Sequence, residues 1–317
     1  MSMARHLRDI AFDDLYLHQD IVKSKIRGLD GGQTLSPVPA DFLDDLNRLR
    51  EAVRTGAPDQ TPSAVEFSIP FDDTLYRVAV IRDMMGTVYA LRRGERNIPG
   101  IDSFGIDAAI IDRLMKTRAG MVLVSGAFRA GKTTLASSYA LAFSSTGGLV
   151  ISLEDPPELI LSGEHGNGQI LQVQIDRGEI EVAVQRTLRT SFDMLFISEI
   201  RTALMAAELV SASTNGKLVL STIHADSAVS ALMKLVSLAR VHGGDMGDGS
   251  AVLQSLAQGL AAILHMSIGK DGKRVVSDIL FNNKSVASKL ISGSLKSLQE
   301  DVNQLRARLA NRLPLDF

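Results

Sequence analysis

The residues with the most recognisable chemistry lie in one segment, GAFRAGKTT, which runs from Gly126 to Thr134. It matches the pattern G-x-x-x-x-G-K-[ST], in which a loop turns its backbone N–H groups toward a phosphate beside the positive end of a helix. Gly131 lets the backbone approach closely, Lys132 reaches the β- and γ-phosphates, and the Thr133 hydroxyl binds Mg²⁺. The predicted phosphate-binding residues are Gly126, Ala127, Phe128, Arg129, Ala130, Gly131, Lys132, Thr133 and Thr134.

Further groups suited to phosphate chemistry follow later strand-like runs. A phosphate loop needs carboxylates that hold the metal and polarise an attacking water. The candidates stand in three clusters, Glu154 to Glu158, Ser198 to Arg201, and Ser221 to Asp226. Open α/β sheets bind ligands at the carboxyl ends of their strands, so these clusters are expected beside the phosphate loop. Each cluster taken singly also fits a turn or a solvated strand end.

The elements that must position these groups alternate between apolar strands and amphipathic helices. Strand-like runs are MVLVS at 121–125, LVISL at 149–153, MLFIS at 194–198 and KLVLST at 217–222. Helical patterns lie near 132–142, 179–190, 202–213 and 227–241. This alternation predicts an α/β domain with a mostly parallel sheet covered on both faces. The remaining quarter is predicted to be helical with one hairpin at 269–273, and the apolar stripe from Leu295 to Leu309 is expected to pack on the chain's own core.

The N-terminal part has a different pattern. A helical segment at 40–53 precedes strand-like runs at 65–70, 75–82 and 87–92, which together predict a small α+β unit. Residues 93–103, with Gly94, Pro99 and Gly100, are typical of a linker. We therefore predict one domain over residues 1–100 and a second over residues 101–317.

Composition narrows the function classes. The 317 residues include 34 basic and 36 acidic side chains, which argues against a protein that mainly coats nucleic acid. The absence of cysteine excludes a disulfide framework, a thiolate zinc site and a cysteine nucleophile. The most apolar late stretch, 259–269, is shorter than the roughly 20 residues of a membrane span. These features predict a soluble, cytoplasmic protein that meets membranes through partners. We expect five histidines to be structural or exposed, namely His6, His18, His165, His242 and His265.

The order of the motifs carries a family resemblance. GAFRAGKT, LEDPPE, ISEIR and STIHADS follow one another as the Walker A, Asp box, Walker B and His box do in the secretion-ATPase superfamily. The chain resembles its PilT-like and DotB-like motors, which serve type IV pili, conjugation and secretion. The similarity extends over about residues 14–290, with 14–18 and 76–82 similar to segments of a PAS-like domain. The resemblance implies a RecA-like P-loop domain preceded by a small α+β PAS-like domain.

The resemblance also implies residue roles. Lys132 and Thr133 would bind phosphate and Mg²⁺, and Glu199 would be the catalytic or metal-orienting glutamate. Glu154 would lie close to the metal and the attacking water, and which of the two glutamates is the base stays open. The implied Mg²⁺ residues are therefore Thr133, Glu154 and Glu199, partly through water. His224 would sense the γ-phosphate or couple hydrolysis to movement.

Assembly is a further implication of the resemblance. Arg77, Arg82 and Arg92 stand where the family supplies arginine fingers, which approach a nucleotide across a subunit interface. Such arginines can be worth about 10³–10⁵ in rate because they neutralise transition-state charge. The family forms homo-hexameric rings that work on an inner-membrane platform or secretion-complex protein. We therefore expect an ATP-hydrolysing hexameric motor.

Departures from the family pattern keep alternatives open. Phe128 and Arg129 replace a small residue and a glycine in the phosphate loop, which permits a low turnover. The segment 284–291 resembles the retraction motif of PilT-like motors only loosely, and the lack of cysteine favours the shorter branch. The alternatives are a P-loop kinase, a nucleic-acid-stimulated RecA-like ATPase, and a subunit that binds ATP with little turnover. A GTPase is disfavoured because the base-reading motif N-K-x-D is missing.

Overall fold

The computed structural model describes residues 6–32, 34–57, 66–94, 97–175, 178–242, 250–269 and 271–315. They form two compact units. The first comprises Met1–Asn97 and Asp155–Ile160, and the second comprises Ile98–Glu154 and Leu161–Phe317. The short segment 155–160 thus belongs to the first unit although its flanking residues belong to the second. The predicted start of a strand at Val65, and residues 95 and 96 of the predicted linker, lie outside the described part.

Within its described residues, the first unit is an antiparallel sheet with one α-helix. Its strands are β1 (Asp14–His18), β2 (Lys25–Arg27), β3 (Leu35–Pro37), β4 (Glu66–Phe71), β5 (Thr74–Asp83) and β6 (Gly86–Arg93). They lie in the order β3-β2-β1-β6-β5-β4. The helix α1 (Leu43–Gly56) buries Leu46, Leu49 and Val53, whose spacing of three and four residues places them on one helical face. This stripe joins the inward side chains of the strands in one apolar core.

The second unit is built on an eight-stranded sheet. Its strands are β7 (Gly120–Gly126), β8 (Leu149–Glu154), β9 (Gly163–His165), β10 (Gly168–Gln174), β11 (Met194–Ile197), β12 (Leu218–His224), β13 (Leu260–Ile268) and β14 (Arg274–Phe281). Their order is β14-β13-β7-β12-β11-β8-β10-β9. Neighbouring strands are parallel from β13 to β10, and the edge strands β14 and β9 are antiparallel. The sheet is therefore mixed, with a parallel centre.

Helices cover both faces of this sheet. They are α2 (Ala108–Lys116), α3 (Lys132–Ser145), α4 (Ile180–Thr187), α5 (Ala203–Ser213), α6 (Ala228–His242), α7 (Ser250–Gly259), α8 (Lys284–Ile291) and α9 (Leu298–Ala310). On one face α3 buries Leu135 and Tyr139 in one apolar cluster. On the other face α5 and α6 bury Leu209 and Leu232 in a second cluster. Each strand of the centre is thus apolar on both sides, which explains the continuous apolar runs in the sequence.

The C-terminal part differs from its sequence expectation in one respect. The apolar stretch 259–269 forms β13, which pairs in parallel with β7 and so extends the sheet as well as making the expected hairpin. The stripe on α9 packs on the chain's own core as predicted, because Leu298 and Val302 are buried and Leu305 and Leu309 pack beside them. Within the described residues, no helix is long and apolar enough to cross a membrane.

Candidate functional site

Strand order gathers the predicted clusters at one edge of the sheet. In the order β7-β12-β11-β8, His224 at the end of β12 pairs with Gly126 at the end of β7. Ile197 at the end of β11 pairs with Ser221 on one side and with Leu153 on the other. The carboxyl ends of these parallel strands therefore lie side by side. This placement brings Glu154, Glu199 and His224 to the edge of the sheet at which the loop after β7 lies.

The loop from Gly126 to Gly131 has the backbone of a phosphate cradle. Gly126 has φ 157° and Gly131 has φ 92°, values at which a side chain is strained. A Cβ on Gly126 would lie 2.8 Å from the carbonyl oxygen of Met266 on β13. Gly131 is the N-cap of α3, and in the described structure no side chain caps this end of the helix. Its first N–H groups and helix dipole fit the phosphates of a nucleotide.

Lys132 lies at the centre of the site. Its side chain is 7% exposed, and its Nζ donates to the carbonyl oxygen of Ala127 at 2.8 Å. The same ammonium lies 3.0 Å from Nδ1 of His224. The lysine therefore folds back over the loop, where it concentrates positive charge beside the first turn of α3. Thr133, the predicted Mg²⁺ residue, follows it in this first turn and is half-buried.

His224 connects the loop to Glu199. Because Nδ1 accepts from the Lys132 ammonium, the ring proton belongs on Nε2, which faces Oε1 of Glu199 at 3.3 Å. Burial and the nearby Lys132 charge lower the pKa of His224, while Glu199 acts in the opposite direction. The imidazole is therefore neutral in this arrangement. Lys234 of α6 also donates to the His224 carbonyl oxygen at 3.0 Å.

Glu199 lies between His224 and Arg201. Its Oε2 accepts from Nε of Arg201 at 2.9 Å, and its side chain is 20% exposed. The four side chains Lys132, His224, Glu199 and Arg201 therefore form one continuous polar chain. A partly exposed carboxylate beside the phosphate loop has the chemistry of a group that orients or deprotonates a water.

Glu154 has different surroundings. It is 1% exposed, and its Oε1 accepts from the Ser152 hydroxyl at 2.6 Å and from Nε2 of Gln172 at 2.8 Å. Gln172 was missed by the sequence analysis because it belongs to no motif. It lies on β10, a strand that the sequence analysis did not predict.

Phe128 and Arg129 form a stack on His224. The Phe128 ring lies 6.0 Å from the His224 ring at an interplanar angle of 23°, although its side chain is 75% exposed. The Arg129 guanidinium carbon lies 5.7 Å from the Phe128 ring centroid. Arg129 has φ 62°, a left-handed conformation that favours glycine. This geometry explains physically why a glycine is usual at that position of the family loop.

The three candidate arginines lie on β5 and β6 of the first unit. Arg77 pairs with Glu66 at 2.6 Å and with Glu158 at 3.4 Å. Arg92 is the cross-strand neighbour of Arg77 and binds Asp14 at 2.9 Å. Arg82 is exposed near the end of β5. Their arginine-finger role stays a prediction.

Two of the remaining histidines form hydrogen bonds within the second unit. His265 of β13 is buried, and its Nδ1 lies 3.0 Å from the Ser125 hydroxyl on β7. His165 binds the Leu161 carbonyl oxygen at 2.7 Å. The side chain of His242 lies outside the described part. Over the residues that the structure describes, no group of three or more His, Cys, Asp or Glu side chains is placed to hold a metal by itself.

The chain is similar in sequence to proteins of known families. The family model described as type II/IV secretion system protein matches residues 62–292. Type IV pilus ATPase PilU of Pseudomonas aeruginosa is 31% identical over 226 residues, which cover 69% of this chain and 56% of PilU. Type II secretion system protein HxcR of the same species is 34% identical over 174 residues, which cover 52% of this chain and 34% of HxcR. The chain thus spans about half of PilU and a third of HxcR.

Solved structures share the fold. The crystal structure of the pilus retraction motor PilT with bound ADP superposes with a TM-score of 0.74 at 20% identity, covering 98% of this chain and 92% of PilT. The Legionella pneumophila ATPase DotB superposes with a TM-score of 0.68 at 16% identity, covering 93% of this chain and 83% of DotB. These likenesses extend through nearly the whole chain and establish its α/β architecture.

Proposed function

The chain belongs to the type II/IV secretion system protein family, and from this membership we propose that it is an ATPase that works as a ring-forming motor. The observation that carries the proposal is the polar chain from Lys132 through His224 to Glu199, placed against a phosphate cradle. A binding module needs the cradle alone. A hydrolase also needs a carboxylate and a phosphate-sensing group within reach of it, and Glu199 and His224 are the candidates for these roles.

In this proposal the loop and Lys132 bind the ATP phosphates. The N–H groups at the start of α3 and the Lys132 ammonium replace the water that solvates the triphosphate, and Thr133 supplies a hydroxyl for Mg²⁺. Mg²⁺, when bound, neutralises charge on the β- and γ-phosphates. Thr133 would hold the ion directly, and Glu154 and Glu199 would hold it partly through water, a small protein ligand set that suits Mg²⁺.

Glu199 is the proposed base for the attacking water. Its carboxylate is partly exposed and lies next to His224, whereas Glu154 is buried between Ser152 and Gln172. We assign Glu154 a different role, in which it would hold Mg²⁺ through water. Substituting each glutamate by glutamine separates these roles, because only loss of the base removes proton transfer.

His224 is the proposed γ-phosphate sensor. Lys132 now donates to both Ala127 and His224, and a bound phosphate competes for the same ammonium. Loss of that donor frees the His224 ring to turn, so that its Nε2–H, which faces Glu199 in this structure, can donate to a phosphate oxygen. Since Lys234 of α6 binds the His224 backbone, a shift of this residue is passed to the helix behind it. Hydrolysis is thereby coupled to movement.

The proposed assembly is a hexamer of this chain. Its RecA-like second unit would bind ATP, and its PAS-like first unit would present Arg77, Arg82 and Arg92 to the nucleotide of a neighbouring subunit. Arg77 and Arg92 would exchange Glu66 and Asp14 for phosphate oxygens as they do so. The ring would act in the cytoplasm on an inner-membrane platform or secretion-complex protein of a type IV pilus, conjugation or secretion machine.

Phosphate release by the purified chain tests the proposal. The chain is incubated with ATP and Mg²⁺ without an acceptor, and then with single-stranded DNA added. A motor ATPase releases phosphate without an acceptor, and DNA leaves its rate unchanged. A kinase needs an acceptor, a nucleic-acid-stimulated ATPase accelerates with DNA, and a nucleotide-binding subunit binds ATP without turnover. Each of these three outcomes contradicts the proposal.

A further inference from the structure

Gln172 connects two parts of the second unit through both ends of its side chain. Its Oε1 accepts from the backbone N–H of Leu161 at 2.9 Å and from that of Ser162 at 3.2 Å. Its Nε2 donates to Oε1 of Glu154 at 2.8 Å. Leu161 and Ser162 are where the second unit resumes after the segment 155–160, and Glu154 is where it is interrupted. The Gln172 side chain therefore forms hydrogen bonds to residues on both sides of the segment 155–160.

The orientation of the Gln172 amide follows from its partners. Two backbone N–H groups face one end, so that end must be the oxygen, which accepts. The NH₂ group then has to face the Glu154 carboxylate, which is an acceptor when ionised. A flipped amide would set donor against donor and acceptor against acceptor at the two ends. The contact with Glu154 is thus a donated hydrogen bond to a carboxylate.

A second donor is aimed at the same carboxylate oxygen. Ser152 pairs with Gln172 across the parallel strands β8 and β10, and its hydroxyl donates to Oε1 of Glu154 at 2.6 Å. A carboxylate that is 1% exposed has lost most of its solvation by water, so donors from the protein must replace it. Hydrogen bonds to an ionised group are shorter and stronger than neutral ones, and they restrict its rotamer.

We propose that Gln172 is a positioning residue for the ATPase reaction, which holds the Glu154 carboxylate in its working orientation at the edge of the sheet. This inference rests on the proposed function, because it assigns Gln172 a role through Glu154. Gln172 does not itself touch the nucleotide in this account. Its loss therefore lowers the rate of hydrolysis and leaves the affinity for ATP unchanged.

Gln172→Glu distinguishes the acceptor role of the side chain from its donor role. The new carboxylate still accepts from Leu161 and Ser162 but cannot donate to Glu154. We expect kcat to fall roughly ten- to a hundredfold, the consequence of losing one hydrogen bond to a charged group, with the Kd for ATP unchanged. Gln172→Met removes the donor without adding charge, and it carries the test if Gln172→Glu does not fold. Gln169→Glu, an exposed position on the same strand, is the matched control and keeps the wild-type kcat.

A double-mutant cycle shows whether Gln172 acts through Glu154. In a Glu154→Gln background, Gln172→Met should lower kcat no further, because its target is already removed. The same cycle on the free energy of unfolding should show coupling between the two residues, which measures the contact independently of turnover. An additive effect on kcat, an unchanged kcat in Gln172→Met, or an equal loss of ATP affinity and kcat overturns the inference while leaving the ATPase proposal intact. A wild-type chain without turnover overturns the proposed function, and the inference with it.

Discussion

Lys132 and His224 are joined by a contact of 3.0 Å between Nζ and Nδ1, although they lie 92 residues apart in the chain. The contact exists because β12 and β7 are adjacent parallel strands that end level with each other. The contact links the side chain of Lys132 directly to that of His224. A ligand that draws the Lys132 ammonium away therefore removes a hydrogen-bond donor from His224. This shared donor is the basis of the first prediction.

Lys132→Ala should remove ATP binding. The substitution takes away the ammonium that is proposed to bind the β- and γ-phosphates and leaves Nδ1 of His224 without this donor. Loss of charged hydrogen bonds should weaken the affinity by more than roughly tenfold, as measured by equilibrium titration with a fluorescent ATP analogue. Lys116→Ala removes an exposed lysine paired with Asp112 on α2 and should bind like the wild type. Equal affinity of the two variants would contradict the assignment of the phosphate loop.

Glu199→Gln should leave ATP bound and slow its hydrolysis. The amide is nearly the same size and can still accept from His224, but it cannot take a proton from water. A general base contributes about 10²–10⁴ in rate, so single-turnover hydrolysis should fall by at least the lower figure. The matched control is Glu208→Gln, at a half-buried glutamate of α5 whose Oε1 accepts from Gln185. A hydrolysis rate that matches the control would remove Glu199 from the chemistry.

The strain at Arg129 can be measured by comparing two variants. Arg129→Ala keeps a side chain at φ 62°, whereas Arg129→Gly relieves the left-handed conformation, and both lose the stack on Phe128 equally. The glycine variant should be more stable than the alanine variant by about 1 kcal/mol in urea unfolding. If alanine is as stable as glycine, the loop does not hold residue 129 in the left-handed region.

The free energy of unfolding should fall as the pH is lowered, because of the protonation of His265. Burial lowers its pKa from the ordinary value of 6.5, with Lys132 acting in the same direction and Asp278 and Asp226 opposing. Below pH 6.5 the unfolded chain takes up a proton that the folded chain resists, so the free energy of unfolding falls as the pH falls. Urea unfolding from about pH 7.5 to about pH 5 should show this slope.

His265→Gln is the control for that slope. Glutamine keeps a polar partner for Ser125 and does not titrate, so its decline in stability should be shallower than that of the wild type. His224 also has a lowered pKa and leaves a residual slope of the same sign. Identical slopes for wild type and variant would show that His265 takes no part in the pH dependence.

Much of the site could be predicted from the sequence. The pattern around Lys132 specifies a loop between a strand and a helix, and the polar residues after three apolar runs mark strand ends. Parallel strands end at one edge, so Glu199 and His224 had to come near the loop once the sheet was parallel. These inferences succeeded because each depends on local periodicity and one topological rule.

The remainder depends on pairing that local patterns do not contain. Gln172 lies 18 residues from Glu154, and their contact needs β10 to pair in parallel with β8 in one register. Likewise, Ser125 contacts His265 only because β13 pairs with β7. The apolar composition of β13 alone fits a helix or a strand equally well. The segment 155–160 belongs to the first unit because of its tertiary contacts, such as the hydrogen bond from the Ser68 hydroxyl to the Pro157 carbonyl oxygen.

The most direct test of the motor account is the ATPase rate per subunit as a function of protein concentration, with light scattering on the same samples. The rate per subunit is expected to rise as a species of ring size appears, because arginines of one subunit complete the site of the next. Arg77→Ala and Arg92→Ala should then lower the rate of the assembled species without dissolving it. A rate per subunit that is constant from monomer to saturation would contradict the account and indicate a self-contained P-loop enzyme.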